Sequence, residues 1–309
     1  MKRKLQDFIG HSPLNESGFK KRMRFHQGWW RAFVLNEDEG NNPVREGEKV
    51  CNTILNGTVD GNRKNFLSKN ILDAVLLTIQ ERKTAGSGIL EESRLYNNLL
   101  SSQPLCFNFF GELKADHVLA LKVLQQFWPE LTEVRNVMFE YSPGENYTND
   151  NSAFDVAFDV MIGSKNGLVG LECKYTDTFS STKYSKPEYE LIFQKGRESA
   201  FIAEYKVFTT AKYNQLFRNQ LIAEALVQEG VKQFVYTGLF CHHDDRSALQ
   251  TGTEFQGMLK NGTNKFKVIT YQDFIEKMQE LEISWEQREL SMMLWARYCA
   301  TQLSAQAFE

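Results

Sequence analysis

Apolar residues recur at helical spacing from Asn65 to Gln80, where Phe66, Ile71, Leu72, Val75, Leu76 and Ile79 predict an amphipathic helix. A second helix is expected over Glu91–Leu100, ending before Pro104, and a third over Lys114–Phe127, with Pro129 just past its end. The period then shortens to two. Val134–Tyr141 reads as a strand closed by Ser142-Pro143-Gly144. Phe154–Ile162 alternates, with Phe154, Val156, Phe158, Val160 and Ile162 on one face and Asp155 and Asp159 on the other. A turn over Gly163–Gly167 leads into a further strand, Leu168–Tyr175, so the two form a hairpin.

The Ser-, Thr-, Lys- and Tyr-rich stretch 176–205 reads as a long loop over one end of the sheet. A helix over Asn214–Glu229 ends at Gly230, a residue suited to a left-handed cap. Strands over Phe234–Phe240 and Lys267–Tyr271 follow, with closing helices over Gln272–Leu281 and Ser284–Gln306. The central order of helix, three strands, helix, strand predicts an α/β fold with a mixed sheet flanked by helices and helical additions at both ends. Residues 1–62 read as an irregular basic arm, and 63–309 as a single domain with its core at about 90–241.

Composition narrows the class. With 42% hydrophobic and 24% charged residues the chain is of ordinary globular type, and it contains no apolar run of membrane-spanning length. Met1–Lys4 is followed by Gln6, Asp7 and His11 rather than by an apolar stretch, so a secretory signal is not expected and an intracellular, cytoplasmic location is. The five cysteines are odd in number and never spaced as C-x-x-C, which predicts reduced, buried thiols. The net charge of −3 hides a basic start: Lys2, Arg3, Lys4, Lys20, Lys21, Arg22, Arg24 and Arg31 are opposed within the first 31 residues by Asp7 and Glu16 alone. Such an arm is suited to a polyanion.

The candidate chemistry lies on the hairpin. Two residues apart on a strand share a face, so Glu172 and Lys174 project together while Cys173 faces the apolar side with Val169 and Leu171. Two carboxylates suit Mg²⁺, and a neighbouring Lys can orient or deprotonate a water for phosphodiester hydrolysis. Glu-x-Lys occurs four times, at Glu81, Glu112, Glu172 and Glu204, but only the Glu172 copy sits on a strand behind another strand bearing acids. A solvated cross-strand ion pair is the plainer explanation of the same pattern. A four-residue loop Ser164–Gly167 would place Asp159 opposite Glu172 and leave Asp155 about four residues away, whereas a longer loop or a bulge would bring Asp155 closer.

Asp155, the hairpin and Glu172-Cys173-Lys174, within that element order, resemble the PD-(D/E)XK nuclease superfamily. The segments Ser101–Gly111, Phe139–Gly144, Ala153–Val156 and Leu171–Tyr175 are similar to those of little-characterised bacterial restriction-like endonucleases. The resemblance implies a restriction-endonuclease-like core and metal-dependent cleavage of DNA, in restriction-like defence or DNA processing. It implies Asp155 and Glu172 as ligands of Mg²⁺ or Mn²⁺, the Cys173 carbonyl as a further ligand, and Lys174 acting on the attacking water. Phe154 stands where the proline of the family's name would be, and Asp159 remains the alternative first ligand.

Gln215 and Arg218, three apart on one helix, are candidates for steadying a phosphate or the carboxylates, or form an ordinary polar helix border. Glu92 is a candidate extra acid, or surface charge. Cys241-His242-His243-Asp244-Asp245 has metal-ligand chemistry but reads as a loop without metal, since consecutive residues leaving a strand diverge. Trp29 and Trp30 read as buried anchors of the arm more than as a nucleic-acid strip. DNA is the expected partner, with no membrane, and a homodimer is left open. The alternatives are a nuclease-fold module that binds nucleic acid or a protein without cleaving, and a purely structural interaction protein.

Overall fold

The structure, a computed structural model, describes residues 5–13, 15–43, 45–55, 63–85, 91–179 and 182–308. Lys2, Arg3 and Lys4 of the basic start lie outside them. Two strands, β1 (Glu39–Asn41) and β2 (Lys49–Ile54), pair apart from the main sheet. That sheet has the order β3 (Glu133–Tyr141), β4 (Phe154–Ile162), β5 (Lys165–Lys174), β6 (Phe234–Cys241), β7 (Phe266–Thr270). Pairs β3/β4 and β4/β5 are antiparallel, and β5/β6 and β6/β7 are parallel, so the sheet is mixed as expected.

Strand β5 is the centre of the sheet and is covered on both faces. Val169, Leu171, Cys173 and Tyr175 point into a core shared with helices Lys69–Ala85, Ser102–Ala115, Tyr271–Glu280 and Trp285–Tyr298. Leu168 faces the other layer, where Ile222, Ala223 and Leu226 of helix Asn214–Gln228 pack on it. Phe154 departs from the parity of its strand. It joins Ala157 and Leu168, because Gly170 leaves room for its ring; a Cβ at Gly170 would stand 2.6 Å from that ring.

Several local expectations are corrected. The stretch read as an irregular arm forms helix Gly18–Trp29, a following π-helical turn Trp30–Leu35, and the β1/β2 hairpin. Trp30 is buried as an anchor, while Trp29 stacks on His26 at 5.5 Å. Arg22, Arg24 and Arg31 are spent inside the molecule. Arg22 donates to Ser304 Oγ, Arg24 grips both oxygens of Glu16, and Arg31 donates to the carbonyls of Ile9 and Cys51. The stretch read as a loop over 176–205 contains helix Pro187–Ala200, opened by Pro187 and acidic residues Glu188 and Glu190, as a helix N-terminus favours.

Helix Ser102–Ala115 begins where Ser101 Oγ caps Gln103 N, and Pro104 sits in its first turn, where the missing N–H costs nothing. It breaks at Asp116, whose side chain caps helix His117–Gln125. All five cysteines are free and buried, as their spacing predicts. Among the described residues no helix is long and apolar enough to cross a membrane.

The two ends of the chain meet behind β5. Gln27 donates to the Tyr175 hydroxyl and to the Arg297 carbonyl, and His26 lies between Ser304 Oγ at 2.8 Å and the Ala296 carbonyl at 3.0 Å. Burial depresses His26 to about 4, and burial with the His243 charge depresses His242 to about 3. A histidine depressed in the fold contributes stability above its ordinary value near 6.5 that is lost as pH falls through that value toward the depressed one. At pH 5 the expected loss is on the order of 2 kcal/mol per histidine. Thermal melts of wild type and of His26→Gln/His242→Gln check this. The gap between them narrows from pH 7.5 to pH 5, while carboxyl groups that titrate over the same range cancel in the difference.

Candidate active site

The β4/β5 hairpin closes through a two-residue turn, Gly163-Ser164, with Ile162 opposite Lys165. Gly163 has φ +58°, the positive value that a tight hairpin demands of its first central residue. The four-residue loop is therefore overturned. Asp159 lies opposite Leu168, four residues from Glu172, and ion-pairs with Lys232. The ladder ends at Val156 opposite Leu171. Asp155 and Glu172 follow directly, where the two strands part.

That parting explains the position of Asp155. The ladder bond that Cys173 N–H would give to β4 goes instead to Asp155 Oδ2, at 2.6 Å. The N–H and C=O of one strand residue leave on the same side, so the Cys173 carbonyl also faces Asp155. The thiol of Cys173 points the other way, into the core beside Cys106.

Glu172 and Lys174 are 4% and 7% exposed, which rules out a solvated surface pair. Helix Asn214–Gln228 covers them. Gln215 Nε2 donates to Glu172 Oε1, Asn219 Nδ2 donates to Glu172 Oε2 at 2.9 Å, and Lys174 Nζ donates to Gln215 Oε1 at 2.8 Å. The ammonium lies 3.1 Å from Glu172 Oε1 and 5.2 Å from the centre of the Phe179 ring. The Lys174 carbonyl accepts from the Tyr271 hydroxyl, which fixes the strand end. A buried ion pair is a weak source of stability, because desolvation consumes much of its attraction. Its retention here suits chemistry better than folding.

A third acid was not anticipated. Glu140, near the end of β3, has φ +51°, a strained left-handed conformation for a residue with a side chain. Burial, opposed by Arg82, and the nearby charge of Glu172 push its carboxyl up to about 7. Burial and the charges of Glu172 and Glu140 also hold Asp155 well above the usual carboxylate range. Glu140, Asp155 and Glu172, gathered from the adjoining strands β3, β4 and β5, form an all-oxygen donor set that suits a hard divalent cation.

The remaining candidates divide. Gln215 is at the site, and its helix neighbour one turn on, Asn219, completes the grip on Glu172. Arg218 points away: its guanidinium meets Ser152 Oγ at 2.9 Å, Asp150 Oδ2 at 3.4 Å and the face of Tyr184. Glu92 is exposed and pairs with Lys83 at 3.4 Å, as surface charge does, whereas Glu140 is near enough to Glu172 and Asp155 for their charges to interact. In the His242 segment, ligand atoms of His242, His243 and Asp244 lie within 4.8 Å of one another. His242 Nδ1 already accepts from Asp244 N, and Asp245 caps helix Arg246–Gly257.

No curated protein and no solved structure matches this chain. A sequence model described as the PD-(D/E)XK nuclease superfamily matches residues 14–300, nearly the whole length. The chain belongs to the PD-(D/E)XK nuclease superfamily.

Proposed function

We propose that the protein hydrolyses DNA phosphodiester bonds with a divalent cation, Mg²⁺ or Mn²⁺, held by Asp155, Glu172 and the Cys173 carbonyl, with Glu140 as an additional acid. The observation that carries this reading is the convergence of three partly or fully buried carboxylates, from the adjoining strands β3, β4 and β5, beside one buried ammonium. Within the fold such a cluster is costly unless a cation joins it. The oxygen donors fit that cation: among the described residues Asp155 Oδ1 accepts no hydrogen bond, and the Cys173 carbonyl has passed the end of the β4 ladder.

When bound, the cation supplies Lewis-acid stabilisation of charge on the phosphoryl oxygens. Gln215 and Asn219 fix the Glu172 carboxylate in one orientation. Lys174, steadied by Gln215 and Glu172, presents its ammonium to the attacking water and holds it in line with the phosphorus. The water oxygen forms the new P–O bond and releases a proton to solvent, the bond to the leaving oxygen breaks, and that oxygen takes up a proton from solvent. No covalent enzyme intermediate is needed.

The test is incubation of the purified protein with duplex and single-stranded DNA in Mg²⁺, Mn²⁺ or chelator. Cleavage products that appear with metal and vanish with chelator are expected. Salt-sensitive DNA binding unchanged by chelator, with no products in either metal, contradicts the reading and favours a binding module that does not cut.

A further inference from the structure

We propose that the β1/β2 hairpin and helix Gly18–Trp29 form one wall of a groove that binds the DNA sugar–phosphate backbone and delivers it to the carboxylates, with Lys20, Arg45 and Lys49 as its phosphate contacts. This deepens the nuclease reading and rests on it for the identity of the polyanion. A cavity of about 820 Å³ lies between the N-terminal segment and the core. Lys20, Arg45 and Lys49 line one side, and Asn98, Thr176 and Asp177 line the other. An adjoining cavity of about 520 Å³ shares Asn42, Pro43, Asn98 and Asp177 with it, so the two make one elongated depression.

The depression is lined by residues that follow β5 closely. Thr176 and Asp177 follow Lys174 by two and three residues. Arg94 lines the second cavity and holds Asp177 Oδ2 at 3.0 Å. A strand lying in the groove therefore runs past Arg94 toward the segment that follows β5.

Charge decides the occupant. Among the described residues Lys20 and Lys49 are exposed and make no ion pair, and Arg45 meets only the exposed Glu48 at 3.5 Å. The acid on the opposite wall, Asp177, is already bonded by Arg94 and Ser102. Cations left on a wall whose neighbouring arginines are spent internally fit an extended polyanion better than a neutral ligand. Of Lys20, Arg45 and Lys49, only Lys20 belongs to the charges that make the start of the sequence look basic. Arg22, Arg24 and Arg31 are structural, and Arg45 and Lys49 come from the hairpin.

The experiment measures binding of fluorescein-labelled 30-mer DNA, duplex and single-stranded, to the full chain in chelator, by anisotropy across a salt series. It compares wild type with Lys20→Gln/Arg45→Gln/Lys49→Gln and with the control Lys165→Gln/Lys195→Gln, away from the groove. Exposed substitutions change stability by about 0.5 kcal/mol or less, so both variants fold. The triple variant is expected to bind on the order of 10- to 100-fold more weakly, with the slope of log K against log salt reduced by about 2–3, while its Mn²⁺ affinity is unchanged. The control keeps the wild-type slope. A triple variant with wild-type affinity and slope, or a wild type that binds neither DNA, overturns the groove. A wild type that binds with this charge dependence but never cuts supports the groove and contradicts the nuclease reading.

Discussion

Glu172→Ala and Lys174→Ala are each expected to abolish the proposed metal-dependent DNA cleavage while differing in what they do to metal. Removing Glu172 takes away a carboxylate proposed to hold the cation. Its effect on Mn²⁺ affinity exceeds the roughly 10–100-fold that loss of an outer partner costs. Removing Lys174 leaves both proposed ligands, so Mn²⁺ still binds. The reaction nonetheless loses the roughly 10²–10⁴-fold that a positioned proton-handling or water-orienting group contributes. Calorimetric titration of Mn²⁺ beside single-turnover cleavage separates the two. Equal cleavage by wild type and both variants removes the site from consideration. Equal loss of metal affinity in both variants makes Lys174 a structural partner of Glu172 only.

Phe110→Ala is expected to produce the largest loss of stability among single substitutions considered. Phe110 has no exposure and meets Phe158, Phe240 and Phe274 with ring centres 5.8, 4.9 and 5.4 Å away. It joins helix Ser102–Ala115 to the face of the sheet that backs the hairpin. Truncating such a ring costs about 3–5 kcal/mol, from lost burial plus the cavity left behind. The melting temperature falls on the order of 10 °C. Val118→Ala, at a position 67% exposed on the next helix, is the comparison and changes little. Calorimetry of the two variants measures the difference; similar melting temperatures would mean the aromatic cluster is not the support beneath the hairpin.

Legibility in the sequence follows from how local each signal is. The alternation of Phe154–Ile162 and the Glu172-Cys173-Lys174 triplet depend on strand geometry alone, and the structure places them as strands β4 and β5. The hairpin register depends on where the turn begins. The run Gly163–Gly167 offers several starts, and the fold uses only Gly163-Ser164. Resemblance pointed to Asp155 where counting pointed to Asp159, and the two-residue turn puts Asp155 beside Glu172.

Glu140 was invisible for a different reason. Its place opposite Asp155 depends on the β3/β4 register, Phe139 opposite Val156 and Tyr141 opposite Phe154, which the two runs of residue types do not fix by themselves. Asn219 was within reach, since it lies four residues after Gln215 and shares its helix face. A search for charges passes over an amide whose task is to donate to a carboxylate. Helix Pro187–Ala200 was hidden by its polar flanks, although Tyr189, Ile192, Phe193, Gly196 and Ala200 are its buried positions at helical spacing. The basic arm shows the limit of counting charge. Arginine side chains near the start of the chain are fastened to carbonyls and to Glu16, and only the fold tells which cations face a groove.

The most direct measurement is the anomalous scattering of Mn²⁺ soaked into crystals of the protein. A peak about 2.1 Å from carboxylate oxygens of both Asp155 and Glu172 is the predicted result. A peak at His242, His243 and Asp244, or none near Asp155 and Glu172 in a protein that cuts DNA with Mn²⁺, would contradict the account.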